Sequence, residues 1–336
     1  MEYESWERRL SLRFIMLALV ACGLLLLNAC ANNDSAAEGA ANGKVNVITS
    51  FYPIYYMASE IGGDHVQVTN LIPTGVEPHD WTPKSRDLQN ASNAQLLLVN
   101  GAGFEGWLPD FQKGLDAGSK VKTVEVSNGI TLIQASEEEE EHGEEAHAEG
   151  EHAHEDEHGH DHGDIDPHTW ISPKSALIMV ENVKDALVDA DPEHRGDYEK
   201  NYEQLKAKLA SIDHEYTTKL KDVAKRDIVV SHQAFGYLAR DYDLHQHAIM
   251  GISPDAEPRA QDLLNLSKLM QEKQLKYVFF EELVSDQLAQ TLASEAKVDT
   301  LVLNPLEGLT QEQEAAGDNY VTLMERNLQN LLLALQ

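Results

Sequence analysis

Short apolar runs alternate with amphipathic segments along the chain from residue 45 onward. The run at 95–100 holds four successive apolar residues, which is typical of a strand buried in a parallel sheet. Three further runs have strand composition and are bounded by polar residues or glycine. The first half therefore predicts an α/β lobe with strands at 45–50, 65–72, 95–100 and 121–126 and helices at 52–61, 84–92 and 105–115.

A longer helical pattern occupies the middle of the chain. After a predicted helix at about 175–188, residues 193–225 are rich in Glu, Lys, Leu and Ala and contain a single glycine and no proline. About 30 residues at 1.5 Å each make about 45 Å of helix, so we expect a rigid strut. Its apolar residues recur every three or four positions, as on one face of a helix: Tyr198, Tyr202, Leu205, Leu209, Ile212, Tyr216 and Leu220.

The second half repeats the alternation of strands and helices. A last helix is predicted at about 319–335, and strand candidates lie at 228–230, 244–249, 277–280 and 300–303. The predicted fold class is α/β, with two lobes joined by a long rigid linking helix. The predicted limits are 45–190 for the N-terminal lobe, 191–226 for the linking helix and 227–336 for the C-terminal lobe.

Composition limits the partners and the chemistry. The 336 residues suffice for two such lobes. Subtracting 26 basic from 57 acidic residues gives a net charge of −31, which excludes a nucleic-acid partner because phosphate binding needs a basic face. Both cysteines, Cys22 and Cys30, lie near the N-terminus, so the folded part has no disulfide and no thiolate metal site. We expect a monomer.

The N-terminus resembles an export signal. Basic residues precede an apolar run at 14–27, which has export-signal length and is short for a membrane span. Small residues before Cys30 and a polar stretch after it resemble a bacterial lipoprotein signal, in which the cysteine carries the lipid. Cys22 fits the local pattern better, but its use would leave the apolar residues 24–27 at the start of the mature chain.

We therefore predict a signal peptide at 1–29, lipidation of Cys30 and a flexible tether at 30–44. An uncleaved N-terminal anchor is the alternative. In both cases the folded part lies outside the cytoplasm, attached to the bacterial cell membrane.

An acidic, histidine-rich segment interrupts the first half. Residues 137–166 contain 15 acidic residues and neither Lys nor Arg, so residues 137–165 are predicted to form a disordered loop. So many histidines are unusual for a solvated charge run and indicate secondary metal sites. Each of these sites would be weak, because ordering the loop around an ion costs entropy. Together they would raise the local metal concentration near the cleft. They are His142, His147, His152, His154, His158, His160 and His162.

Three other histidines occur in distinctive contexts. His79 stands in Pro-His-Asp-Trp, His168 in Asp-Pro-His-Thr-Trp and His232 in Ser-His-Gln-Ala-Phe-Gly-Tyr. Each lies in a loop after a predicted strand, although the acidic segment intervenes before His168. Ligands of open α/β sheets bind at the carboxyl ends of the strands, so histidines from the two lobes can meet across a cleft.

A carboxylate would complete a zinc site. Glu307 follows the last predicted strand, and three imidazoles with one carboxylate suit tetrahedral Zn²⁺. Spacing alone does not choose Glu307 over Glu281 or Glu282, which follow the strand at 277–280. The remaining histidines lack such contexts and are interpreted as structural or exposed: His65, His194, His214, His245 and His247.

Together with Phe-Tyr-Pro-Ile at 51–54 and Asn-Pro-Leu-Glu-Gly at 304–308, these motifs resemble the zinc- and manganese-specific substrate-binding lipoproteins of bacterial ABC importers. The resemblance runs from residue 45 to the C-terminus. It implies two (β/α)₄-like lobes and one buried metal between them, with His79, His168, His232 and Glu307 as ligands. Manganese-binding members typically carry a carboxylate at the third position. His232 stands there in this chain, so the resemblance indicates the zinc branch.

The resemblance implies high-affinity capture of Zn²⁺ outside the cytoplasm and its delivery to an ABC permease, without enzymatic activity. The alternatives are a manganese-binding member, a surface adhesin of the same fold and a zinc hydrolase. A hydrolase is disfavoured because four protein ligands leave no open position for water.

Overall fold

The computed structural model describes residues 43–134, 165–254 and 258–336. The predicted signal peptide, the lipidation site at Cys30 and most of the tether lie outside the described residues. So do the seven histidines of the acidic segment. None of the helices in these three ranges combines the length and the apolar composition of a membrane span.

The first lobe is built on a four-stranded parallel sheet with the order β2-β1-β3-β4. The central strands β1 and β3 are buried along their whole length, which explains their apolar character. The strands are β1 (Val45–Thr49), β2 (Val66–Asn70), β3 (Leu96–Val99) and β4 (Lys122–Glu125), and the helices are α1 (Tyr52–Gly62), α2 (Ser85–Ser92) and α3 (Leu108–Gly114). All seven predicted elements of this half are present.

Two long helices follow, α4 (Pro173–Ala190) and α5 (Arg195–Leu220). Ser172 caps α4 by accepting the backbone N–H of Lys174, and a proline occupies the first turn. All seven residues of the apolar stripe of α5 are buried. The 26 residues of α5 span about 39 Å.

Helix α5 contacts both halves of the molecule. It packs against α4, α1 and the C-terminal helix α10 (Tyr320–Ala334). Near its start, the Asn201 side chain donates to the carbonyl of Ile61 at 3.0 Å. Near its end, the Tyr216 hydroxyl donates to the carbonyl of Met324 at 2.8 Å. The predicted strut is therefore present, while the lobe limits stay a prediction.

The second lobe contains two pairs of parallel strands. β5 (Asp227–Val230) pairs with β6 (His245–Ala248), and β7 (Tyr277–Phe280) pairs with β8 (Asp299–Val302). β5 lies beside β7, where the hydroxyl of Ser231 donates to the carbonyl of Phe279 at 3.2 Å. The remaining helices are α6 (Gly236–Tyr242), α7 (Ala260–Glu272), α8 (Gln287–Ala296) and α9 (Gln311–Ala316). Both halves are α/β, which confirms the predicted fold class.

One aromatic residue lies at the junction of the lobes. Trp170 is fully buried and meets Phe51 edge-on, with ring centroids 4.6 Å apart. Its indole N–H donates to the carbonyl of Pro305 in the second lobe at 2.8 Å, and its own carbonyl accepts the hydroxyl of Tyr320. The segment that carries His168 is thus bound to both lobes.

The packing of α5 yields a stability prediction. Leu209 is 0% exposed in the main core, so Leu209→Ala should lower the free energy of unfolding by about 2–5 kcal/mol through lost burial and a residual cavity. Urea denaturation of the metal-free protein, followed by circular dichroism, measures this change. The control Lys200→Ala, on the exposed face of the same helix, should change it by less than about 0.5 kcal/mol. A similar loss in both variants would contradict the packing of this face.

Candidate metal centre

The four predicted ligands converge at the junction of the lobes. His79 lies in the connection after β2, His168 immediately before the short 3₁₀ turn at 169–171 that leads into α4, His232 just after β5 and Glu307 after β8. All four are buried, with exposed fractions of 5% for His79, 0% for His168 and His232, and 1% for Glu307. Residues separated by more than 220 positions therefore share one site, as the loop contexts predicted.

The ligand atoms are spaced as a tetrahedral ion requires. The Nε2 atom of His168 lies 3.3 Å from the Nε2 atoms of both His79 and His232. The Oε1 atom of Glu307 lies 3.6 Å from Nε2 of His79, 3.5 Å from Nε2 of His168 and 3.7 Å from Nε2 of His232. Zinc bonds of about 2.0–2.1 Å in tetrahedral geometry place ligand atoms about 3.3–3.4 Å apart. The cluster therefore has nearly the dimensions of a zinc shell.

Glu307 is the acid of this cluster. Among the residues that the structure describes, neither of its carboxylate oxygens accepts a hydrogen bond. Burial opposes its ionisation, but the imidazoles of His232 and His79 hold the pKa of Glu307 well below its usual range. A buried carboxylate needs a compensating charge, and a cation bound between the imidazoles would supply it.

Two of the histidines are oriented by carboxylates behind them. Oδ1 of Asp166 lies 2.8 Å from Nδ1 of His168, and Oε1 of Glu281 lies 2.7 Å from Nδ1 of His232. The same oxygens also accept the backbone N–H groups of these histidines, at 2.9 and 3.2 Å. A carboxylate at Nδ1 fixes the ring and directs Nε2 towards the position of the metal.

The sequence motifs did not predict this orienting role. The signal for Asp166 was an acid two residues before a histidine in Asp-Pro-His. No local signal pointed to the pairing of Glu281 with His232, which are 49 positions apart.

The structure distinguishes the three acids between which spacing could not choose. Glu281 supports His232, as described. Glu282 accepts the side-chain amides of Asn304 at 2.8 Å and Gln313 at 2.6 Å, so it braces the loop that carries Glu307. Only Glu307 belongs to the group that could hold a metal among the described residues.

The five histidines interpreted as structural or exposed, all in the described part of the chain, lie outside this cluster. His65 pairs with Asp197 at 2.9 Å, and its ring stacks on His194 with centroids 3.9 Å apart. His247 is buried and lies 2.9 Å from Asp227, whereas His214 and His245 are exposed. The prediction that these five are structural or exposed agrees with their positions.

Two carboxyl groups near the site, the half-buried Glu77 and the buried Asp166, have perturbed pKa values. Burial and the charge of Glu307 raise the pKa of Glu77 to about 9. Burial raises the pKa of Asp166 to about 7, against the hydrogen bond from the backbone of His168. Burial also opposes the positive charge of His232, but Glu281 and Glu307 outweigh it and hold the pKa of His232 well above its usual value. The raised pKa of His232 favours its protonated form, so a proton competes with a metal ion for this imidazole.

A buried cluster of this kind between two α/β lobes defines the class: a two-lobe metal-binding protein. Comparison with known proteins identifies the family. The chain belongs to the family described as "Zinc-uptake complex component A periplasmic", which matches residues 47–334.

Two curated relatives and one solved structure illustrate the similarity. The chain is 40% identical over 316 residues to the high-affinity zinc uptake system protein ZnuA of Bacillus subtilis, covering 94% of this chain and 95% of the relative. It is 39% identical over 320 residues to the zinc-binding lipoprotein AdcA of Streptococcus pneumoniae, covering 94% of this chain. The chain spans 60% of the length of AdcA.

The crystal structure of the Zn(II)-bound ZnuA-like domain of the same AdcA superposes with a TM-score of 0.72 at 36% identity. The match covers 87% of this chain and 99% of that domain. The names of the family and of these relatives describe zinc uptake and zinc binding, in agreement with the expected absence of enzymatic activity.

The raised pKa of His232 predicts how zinc affinity depends on pH. Only a neutral imidazole coordinates zinc, so binding must displace the proton of His232. The zinc affinity should therefore fall by about tenfold per pH unit once the pH drops below the raised pKa of His232. This fall should begin above pH 6.5, which is about the ordinary pKa of a histidine. Competition with a chromophoric chelator between about pH 8.5 and about pH 5.5 measures the profile.

Calorimetry in buffers of different ionisation enthalpy provides the check. About one proton should be released per zinc near neutral pH. A constant affinity down to about pH 6.5, without proton release, would contradict the protonated state of His232.

Proposed function

We propose that this protein captures Zn²⁺ outside the cytoplasm and delivers it to an ABC permease for import. The observation that carries the proposal is the buried carboxylate of Glu307, which faces three converging imidazole nitrogens and accepts no hydrogen bond from the described residues. The names of the matched family and of its B. subtilis member support zinc uptake as the purpose of the site.

The donor set favours zinc over manganese. Three nitrogen donors and one oxygen donor suit a borderline ion, whereas Mn²⁺ prefers sites rich in oxygen. Five of the six separations between the ligand atoms lie between 3.3 and 3.7 Å, which also suits four short bonds around one small ion. The proposed ligands are His79, His168, His232 and Glu307.

Four protein ligands also favour transport over hydrolysis. A catalytic zinc ion keeps one position for water or substrate, and a general base stands nearby. Here the carboxyl groups beside the histidines are already engaged. Asp166 and Glu281 contact imidazole Nδ1 atoms, and Glu77 accepts the backbone N–H of His79 at 3.1 Å. Zinc would be the cargo of the protein rather than a reagent.

The proposed setting is the outer face of a bacterial membrane. A lipid on Cys30 and a tether to residue 44 would keep the monomeric protein close to its permease. The word "periplasmic" in the family description and the word "lipoprotein" in the name of AdcA support this placement.

The first test removes a ligand. His232→Ala should raise the zinc dissociation constant by more than the 10- to 100-fold that the loss of an outer-shell partner costs, because a direct bond to the ion is lost. The matched control is His214→Ala, which removes an exposed imidazole from α5 and should bind zinc as the wild type does. Chelator competition measures both. Wild-type affinity in His232→Ala would contradict the proposed ligand set.

We further propose that the seven histidines of the acidic segment collect zinc for this site. Gln134 precedes the histidines of this segment in the chain and Ile165 follows them. These two residues form an antiparallel bridge. Its ends are therefore adjacent, and Ile165 lies only three positions before His168. Metal captured by the segment would be held close to the centre.

A deletion separates the two kinds of site. Removing residues 137–162 leaves four residues between the paired ends, enough for a hairpin connection. The tight site should survive because none of its four ligands is removed, and the weaker additional zinc binding should disappear. Isothermal titration of both proteins measures the stoichiometry. Binding of only one zinc by the intact protein at high metal would refute the collecting role.

A further inference from the structure

The acidic histidine segment is flanked by residues 131–134 and 165–166, which we call its two stems. Both stems contact the second lobe. Beside the bridge between Gln134 and Ile165, the backbone N–H of Asp166 donates to the carbonyl of Ile133 at 2.9 Å. The hydroxyl of Tyr237, on α6 of the second lobe, contacts both stems. It donates to the carbonyl of Asp166 at 2.7 Å and accepts the N–H of Ile133 at 3.3 Å.

A second residue of α6 reinforces this contact. Arg240, one helical turn after Tyr237, donates to the carbonyl of Thr131 at 2.7 Å. Its guanidinium group lies over the ring of Tyr237, 5.0 Å from the centroid. Such a stacked cation stabilises the orientation of the ring. The exposed fraction of Tyr237 is 0%, so its hydroxyl depends on these internal partners.

Asp166 connects this contact to the metal centre. Its backbone carbonyl is bound by Tyr237, while its side chain accepts both the backbone N–H and the Nδ1 of His168. A shift of Asp166 would therefore turn the imidazole of His168, whose Nε2 lies 3.3 Å from those of the two other histidines. Bonds to zinc are short and directional, so a small rotation of one ligand costs affinity.

We propose that Tyr237 is a positioning residue of the metal centre: it fixes both stems of the acidic histidine segment to the second lobe and, through Asp166, holds the imidazole of His168 towards the ion. This role rests on the proposed function, in which the cluster binds zinc. It makes the stems of the segment part of the support of the metal site. It also explains why the last residue of the Ser-His-Gln-Ala-Phe-Gly-Tyr motif lies so near to a ligand from the other half of the chain.

The first experiment compares two tyrosines of the same helix. Tyr237→Phe removes only the hydroxyl that contacts the stems. Tyr242→Phe is the matched control, because its hydroxyl bonds Oδ1 of Asp213 on α5 at 2.9 Å and touches neither the stems nor a proposed ligand. Tyr237→Phe should raise the zinc dissociation constant by about tenfold, at the low end for outer-shell partners, while Tyr242→Phe should stay within about twofold of the wild type.

Two further measurements report on position rather than on stability. The visible absorption of bound Co²⁺ responds to the geometry of a tetrahedral site and should change in Tyr237→Phe but not in Tyr242→Phe. Hydrogen exchange at the amide of Ile133 should accelerate in Tyr237→Phe alone, because its acceptor is lost.

Variants of Asp166 test the connecting link even if Tyr237→Phe is poorly folded. Asp166→Ala should raise the zinc dissociation constant by about 10- to 100-fold. Asp166→Asn keeps an oxygen that can accept a hydrogen bond from His168, so it should recover most of the zinc affinity that Asp166→Ala loses. Affinity and Co²⁺ spectra of Tyr237→Phe identical to those of Tyr242→Phe would overturn the positioning role alone. A wild-type protein without tight zinc binding would instead overturn the proposed function and, with it, this proposal.

Discussion

The buried negative charge of Glu307 is the constraint on which the site depends. A carboxylate in a protein interior is costly unless an opposite charge or several donors compensate it. Here the nearest groups are the Nε2 atoms of His79, His168 and His232, at 3.5 to 3.7 Å. A proton on His232, which the raised pKa of this imidazole favours, would supply the positive charge when no ion is bound, and the zinc ion would supply it in the proposed complex. Proton and metal therefore compete for the same role, which links zinc affinity to pH.

The rest of the fold holds Glu307 and the three imidazoles together at the junction of the lobes. The parallel strands bring their carboxyl ends to the junction of the lobes, where the loops carry the ligands. Helix α5 crosses both halves, so the ligands from the two lobes belong to one packed unit. Trp170 joins the segment of His168 to Pro305, two residues before Glu307. The distances of a zinc shell thus result from long-range packing as much as from the ligands themselves.

The acidic histidine segment is connected to the centre in two ways. Its composition suits the collection of zinc at many weak sites, and its re-entry point lies beside His168. The proposed role of Tyr237 adds a mechanical connection, because the same hydroxyl bonds the stems and the carbonyl of Asp166. The segment that collects zinc and the residues that coordinate it would then be held by the same contacts.

The sequence by itself determined the features that local chemistry encodes. The alternation of apolar runs and helical patterns predicted the α/β lobes, the seven-residue stripe predicted α5, and the loop contexts marked the three histidines. Spacing left open which of the acids Glu281, Glu282 and Glu307 faces the centre, because all three follow strands of the second lobe. The family resemblance implied Glu307, and the tertiary structure brings its carboxylate to the three imidazoles. Tertiary structure alone decided that the second lobe pairs its strands two by two and that Tyr237 reaches Asp166, 71 positions earlier. These contacts join residues far apart in the chain, and their geometry depends on how whole elements pack, which no local pattern specifies.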